Sequence, residues 1–322
     1  MKETNNKTKE LQDLINSLIS QHNTDGPFFY DEGVCEILYV PIEVGELRVF
    51  HHKPQDIKTK RPVLFIPGFG TSPWSWRYFS TPFYQKGEYY FLETREKTSS
   101  KIKKSYKTKM SVDQKSQDVG EVIKYLQLDK QDFVLFGASY CGGVVLNGLI
   151  KKYFTAPTII NFDPLESFKN HKKLAATLTL FPPFALSLLK NIIANILLIG
   201  MKNKLQKERI FDYLRNADAW KWRKSGKDNL KFDIEDSLQF IEEEVSIFHG
   251  PLDRYHPDFV FENIAAKMPL GRYFYMNTAD EYRELLAGII GYEFSKVTKE
   301  NGIPESLQPF EIKDIRKKEK RA

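Results

Sequence analysis

Short, largely apolar blocks recur along the chain at 63–66, 89–92, 133–136, 158–162, 245–248 and 272–276. Blocks of this length with few polar positions read as strands buried on both faces of a sheet. Between them the period changes. Val112, Val119, Val122, Ile123 and Leu126 recur at roughly helical spacing over 111–128, and further helices are expected over about 141–153 and 280–292. Upstream, CEILYVPIEV and ELRVFHHKP read as a hairpin turning near Gly45. Leu11, Leu14, Ile15, Leu18 and Ile19 mark an amphipathic helix at the N-terminal end. Short strands alternating with helices predict a mostly parallel, eight-stranded sheet covered by helices on both faces, an α/β fold.

One segment breaks the rhythm. Residues 165–244 hold the run LAATLTLFPPFALSLLKNIIANILLIG, then a charged helical stretch and NADAWKWRK. The run has the length of a membrane span, but Pro182 and Pro183 break it and Lys190, Asn191 and Asn195 interrupt it. The segment lies between the sixth and seventh strands of the predicted sheet, so it reads as a helical cap over the carboxyl edge. The expected organisation is an N-terminal helix and lead-in at 1–33, a core at 34–164 and 245–298, the cap at 165–244, and a basic tail at 299–322.

Composition adds limits. Of 322 residues, 41% are hydrophobic, enough for a large core, and the 14% aromatic share suggests apolar pockets. The formal charge of +6 gathers in runs such as KIKKSYKTK and IKDIRKKEKRA, which read as solvated surface. RNA- and DNA-binding signatures are missing, so no nucleic-acid partner is expected. Cys35 and Cys141 are far apart and form neither a disulfide framework nor a metal-ligand spacing, so no metal or cofactor is expected. The polar N-terminal segment is unlike the apolar core of a secretory signal. A cytoplasmic, reducing compartment is therefore expected, with peripheral membrane contact through the cap and basic tail as a further option.

The chemistry concentrates in FVLFGASYCGG, 133–143. A strand, a serine between small residues and the start of a helix make a nucleophile elbow, with Ser139 at its head. The plainer reading is a serine that caps the helix. With this elbow stand PGFG after the block at 63–66, ETREKTSS after 89–92, and HGPLD after 245–248. In that order the four pieces resemble the α/β-hydrolase superfamily from about Val34 to Lys296. The resemblance implies Ser139 as nucleophile and the backbone N–H groups of Phe69 and Tyr140 as oxyanion donors. It implies Asp253 as the acid, with Asp163 a second choice. Cys141 occupies a position where relatives usually have glycine and is expected to point into the packing.

The catalytic histidine of relatives follows the last strand, and here that loop reads MNTADEYREL, with no histidine from 270 to 322. Asp280 falls at the empty position. An aspartate ionises at about pH 4 and is a poor base unless burial or a facing Asp253 raises its pKa. His256 is the best substitute among the six histidines, His249 is more often structural, and His171, His51, His52 and His22 are remoter. Two readings follow. The first is a hydrolase or related acyl- or carbonyl-processing enzyme, esterase-like, acting on a lipophilic substrate with an atypical base. The second is a catalytically silent protein of the same fold that binds a hydrophobic ligand, a partner or a membrane surface.

Overall fold

A computed structural model describes residues 2–22, 24–169, 176, 179–198, 204–250 and 258–316. The strands are β1 (Glu36–Ile42), β2 (Gly45–His52), β3 (Val63–Ile66), β4 (Tyr89–Leu92), β5 (Lys101–Ile102), β6 (Val134–Ala138), β7 (Thr158–Phe162), β8 (Val245–His249) and β9 (Gly271–Tyr275). They form one mixed sheet in the order β1-β2-β4-β3-β6-β7-β8-β9, with β5 beside β2. β1, β2 and β4 pair antiparallel, and β4 through β9 along that path pair parallel.

Alternation along each strand divides the core into two layers. Val63, Phe65, Val134, Phe136, Ile160 and Phe248 face one side, against helix α1 (Lys2–Ser20) and helix α8 (Arg283–Ser295). Leu64, Ile66, Leu135, Ile159, Val245 and Ile247 face the other. There they meet α2 (Val112–Tyr125), α3 (Tyr140–Ile150) and α7 (Asp258–Lys267). Apolar side chains on both faces explain why these strands read as continuous blocks. α2 begins where the Ser111 hydroxyl accepts from Gln114 N at 3.2 Å, an N-cap that fixes its start.

Among the described residues, the α-helices α4 (Pro183–Leu198), α5 (Lys204–Arg215) and α6 (Ala219–Asn229) lie between β7 and β8. α6 starts where the Asp218 carboxylate accepts from Lys221 N at 3.1 Å. Among the described residues no helix is long and apolar enough to cross a membrane.

Three features depart from the pattern. The basic run at 101–109 contributes β5, because Lys101 can pair with Glu46 at 2.9 Å and cover the Tyr39 ring at 3.6 Å while Ile102 is buried. The helix expected from 280 opens as a 3₁₀ turn, Asp280–Tyr282, before α8. The segment 299–316, grouped with a solvated tail by its charge, packs onto the core. Ile303, Leu307 and Phe310 are buried, and Ile312 N donates to the Tyr273 carbonyl at 2.9 Å. Those apolar residues, spaced among charges, are the physical reason.

Candidate active site

The chain passes from β3 out to β4 and then back to β6 on the other side of β3. Strand order reverses there, which sets the loops after β3 and β6 together at the carboxyl edge, where sheets of this kind place their sites. Ile66 pairs with Gly137, so the two loops leave side by side. At the end of β6, Ser139 has φ 52° and ψ −125°, a backbone state that L-residues avoid. Its neighbours hold it there. Ser139 N donates to the Phe162 carbonyl at 2.8 Å, and its own carbonyl accepts from Gly142 N at 2.9 Å and Leu165 N at 3.1 Å. A Cβ on Gly68 would lie 3.3 Å from Ser139 Cβ, so the PGFG loop leaves little room for a side chain beside the serine.

Small residues make the turn feasible. A Cβ on Gly137 would lie 2.7 Å from Asn161 Oδ1 and 2.9 Å from the Cys141 carbonyl. Cys141 is fully buried, and burial, reinforced by Glu96, pushes its thiol up to about 12. It therefore stays a thiol and packs. Among the described residues, neither Phe69 N–H nor Tyr140 N–H donates to a protein acceptor.

Behind the PGFG loop lies a buried polar cluster that the sequence reading did not single out. Glu96, Lys97 and Lys115 are all buried. Glu96 Oε1 accepts from Gly70 N at 3.3 Å and from the Thr94 hydroxyl at 2.7 Å. Lys97 Nζ donates to the Gly68 carbonyl and, at 3.1 Å, to Thr71 Oγ1. Lys115 Nζ donates to the Tyr140 hydroxyl at 2.9 Å and lies 3.7 Å from Glu96 Oε2. Burial pulls both lysines below the usual range, offset in part by Glu96. Burial pushes Glu96 up, but the Lys115 and Lys97 ammoniums outweigh it and hold the carboxyl low. Nothing in the sequence gives the charged residues in the loop after β4 their partners. Only the fold turns them under the neighbouring loop.

The acid and base candidates separate. Asp253 and His256, like His171, lie outside the described residues. Asp280 Oδ2 accepts from the Arg209 guanidinium at 3.2 Å, and that guanidinium also donates to Glu284 Oε1 at 2.8 Å. His51 stacks on Tyr90 and bonds Glu88 at 2.8 Å, on the antiparallel side of the sheet. Asp163 and His249 directly follow Phe162 and Phe248, which are paired across β7 and β8. His249 Nδ1 lies 2.6 Å from Asp163 Oδ1, both side chains buried, and Arg283 donates to Asp163 Oδ2 at 2.6 Å. The register of the two strands was the signal that brings this pair together.

Aromatic side chains gather over the loops. Phe69 meets Tyr140 at 5.2 Å and Trp222 at 5.4 Å between ring centroids, and Tyr213 meets Trp222 at 4.3 Å. Gly70, at φ 64°, passes so close beneath that a Cβ would lie 2.5 Å from the Trp222 ring. α5 reaches the same loop, where Asp212 Oδ2 accepts from Ser75 Oγ at 2.9 Å and from Ser72 Oγ.

No protein-family model matches the sequence, and no curated protein matches it. Solved structures do. A hydrolase from Pseudomonas aeruginosa PA01 is 14% identical with a TM-score of 0.63, covering 81% of this chain and 98% of that one. A thermophilic esterase from Thermogutta terrifontis is 16% identical with a TM-score of 0.59, covering 77% and 93%. The carboxylesterase CesB from Bacillus subtilis is 14% identical with a TM-score of 0.57, covering 85% and 91%. These likenesses show that the chain has the α/β-hydrolase fold.

Proposed function

We propose that this protein is a serine hydrolase of esterase type that acts on the carbonyl of a small lipophilic substrate. The observation that carries the reading is the strained backbone of Ser139 at the carboxyl end of β6, with the glycine of the PGFG loop facing it. Strain of this kind persists only where the surroundings over-determine it, and it raises the hydroxyl above the sheet edge. Phe69 N–H and Tyr140 N–H are the oxyanion donors of this reading, and Phe69, Tyr213 and Trp222 favour an apolar acyl group.

The helices between β7 and β8 are read as the cap over Ser139 and these loops. The acid–base unit is atypical. The buried Asp163–His249 pair has the carboxylate-to-Nδ1 arrangement that orients an imidazole, and it is the geometry that best supports a base. Asp253 remains the acid implied by its place after β8, with His256 the substitute imidazole and Asp280 the second carboxylate. A fluorophosphonate probe tests the nucleophile. Ser139 is expected to label and Ser139→Ala to remain unlabelled; no labelling of the wild type from acid to alkaline pH overturns it. His249→Asn, His256→Ala and Asp280→Asn, assayed in parallel, identify the base by which one abolishes labelling.

A second reading is favoured by the ion pair at Asp280. A carboxylate engaged by Arg209, in the loop where relatives carry their base, suits a silent binder. On α4, Phe184, Leu188 and Ile192 are exposed and four residues apart, a stripe that suits contact with a lipid surface. On that reading the wild type shows no ester turnover, Asp280→His gains it, and liposomes retain the protein in flotation.

A further inference from the structure

We propose that Lys97 is the positioning residue of the oxyanion hole, fixing and polarising the Gly68–Phe69 peptide whose N–H is one of its two donors. This rests on the reading of Ser139 as nucleophile. The carbonyl that accepts from Lys97 belongs to Gly68, and the N–H of that same peptide belongs to Phe69. A trans peptide holds its C=O and N–H in one plane, pointing opposite ways. Anchoring the oxygen on the buried side therefore aims the N–H away from Lys97. Glu96 Oε1 accepts from Gly70 N, which anchors the following peptide as well. Consecutive residues of one loop thus grip the backbone on both sides of Phe69.

A tie for the loop alone would not need a lysine. The Thr71 hydroxyl already donates to the Gly68 carbonyl at 2.8 Å. A second, cationic donor on an oxygen that has a partner, with Lys97 only 3% exposed, calls for another role. Burying an ammonium is costly unless it is paired, and Glu96 Oε1 at 3.8 Å supplies the countercharge. A charged donor on the carbonyl withdraws electron density through the amide, so the N–H becomes a stronger donor. Where negative charge develops beside Ser139, that donor gains most in the transition state.

The test uses Lys97→Met, which keeps most of the volume and removes the donor. Two readouts are taken on full-length protein: the rate at which a fluorophosphonate labels Ser139, with kcat and KM on a p-nitrophenyl butyrate substrate, and the Phe69 amide resonance in protein labelled with ¹⁵N-phenylalanine, assigned by its loss in Phe69→Leu. The expected result is a fall of about 10- to 100-fold in labelling rate and kcat, a part of the 10²–10³ set by one oxyanion donor, with KM within about twofold. The Phe69 amide proton moves upfield, and Lys97→Gln, which keeps a neutral donor, recovers part of both. A folded Lys97→Met with an unchanged Phe69 resonance overturns the proposal, whatever its activity. Should the wild type neither label nor turn over, the nucleophile reading fails. The Phe69 resonance then decides the anchoring role alone, a shift supporting it and no shift overturning it. If Lys97→Met does not fold, Lys97→Gln is read by the same two measurements.

Discussion

At Gly137 a methyl group would meet the Asn161 amide, the Cys141 carbonyl and Val145, all three within 2.9 Å. A side-chain amide can shift, but the carbonyl belongs to the first turn of α3 and cannot. Gly137→Ala is therefore expected to cost about 1–3 kcal/mol in urea unfolding and to slow labelling of Ser139, since the turn must open to admit it. Lys221 makes a different prediction. Its ammonium donates to the Lys97 and Ser100 carbonyls, each at 2.6 Å, and burial lowers its pKa to about 8 from 10.5. Between about pH 8 and 10.5 the unfolded chain holds a proton that the native state has released, so this group makes stability rise with pH in that window. Relative to Lys221→Met, the wild-type urea midpoint should climb from pH 7.5 to 10; parallel curves would refute it. The small residues around Ser139 were legible because the strand–turn–helix pattern is local. The buried lysines were not, because lysine's usual place is the surface and only tertiary partners reverse that.

Elements carry the site through their ends. The loop after β4 is tied to α2 by Arg95, which donates to both oxygens of Asp118, at 2.6 Å and 2.5 Å, with both side chains buried. Asp118→Asn leaves a guanidinium buried without its countercharge, expected to cost about 3–5 kcal/mol by denaturation and to loosen the Glu96 and Lys97 contacts on the same loop. An unchanged unfolding midpoint would contradict this account. The segment ETREKTSS resembles in sequence a loop of α/β-hydrolases, but Arg95, Glu96 and Lys97 point to different partners there. Nothing in a run of consecutive charges says which one pairs with α2 and which one turns under the PGFG loop. The Asp163–His249 pair has the same character. Each residue follows a recognised strand, and their meeting depends on the β7–β8 register.

Across the whole molecule, the last described residues close the face that α1 and α8 cover. Phe310 is 1% exposed within that core, so Phe310→Ala is expected to cost about 3–5 kcal/mol, whereas a solvated tail would show none. Thermal or urea unfolding distinguishes the two. The order of strands and helices was readable from the chain alone, because burial on both faces writes itself as short apolar blocks and helical burial as a 3.6-residue period. The strand–turn–helix around Ser139 was readable for the same reason, since its parts are contiguous. Tertiary structure alone decided what surrounds Ser139. The reversal of strand order between β4 and β6 sets the PGFG loop against it, the loop after β4 brings Lys97 behind that peptide, and the β7–β8 register joins Asp163 to His249. Those contacts join residues 29 and 86 positions apart, and no local pattern in a sequence carries such a distance.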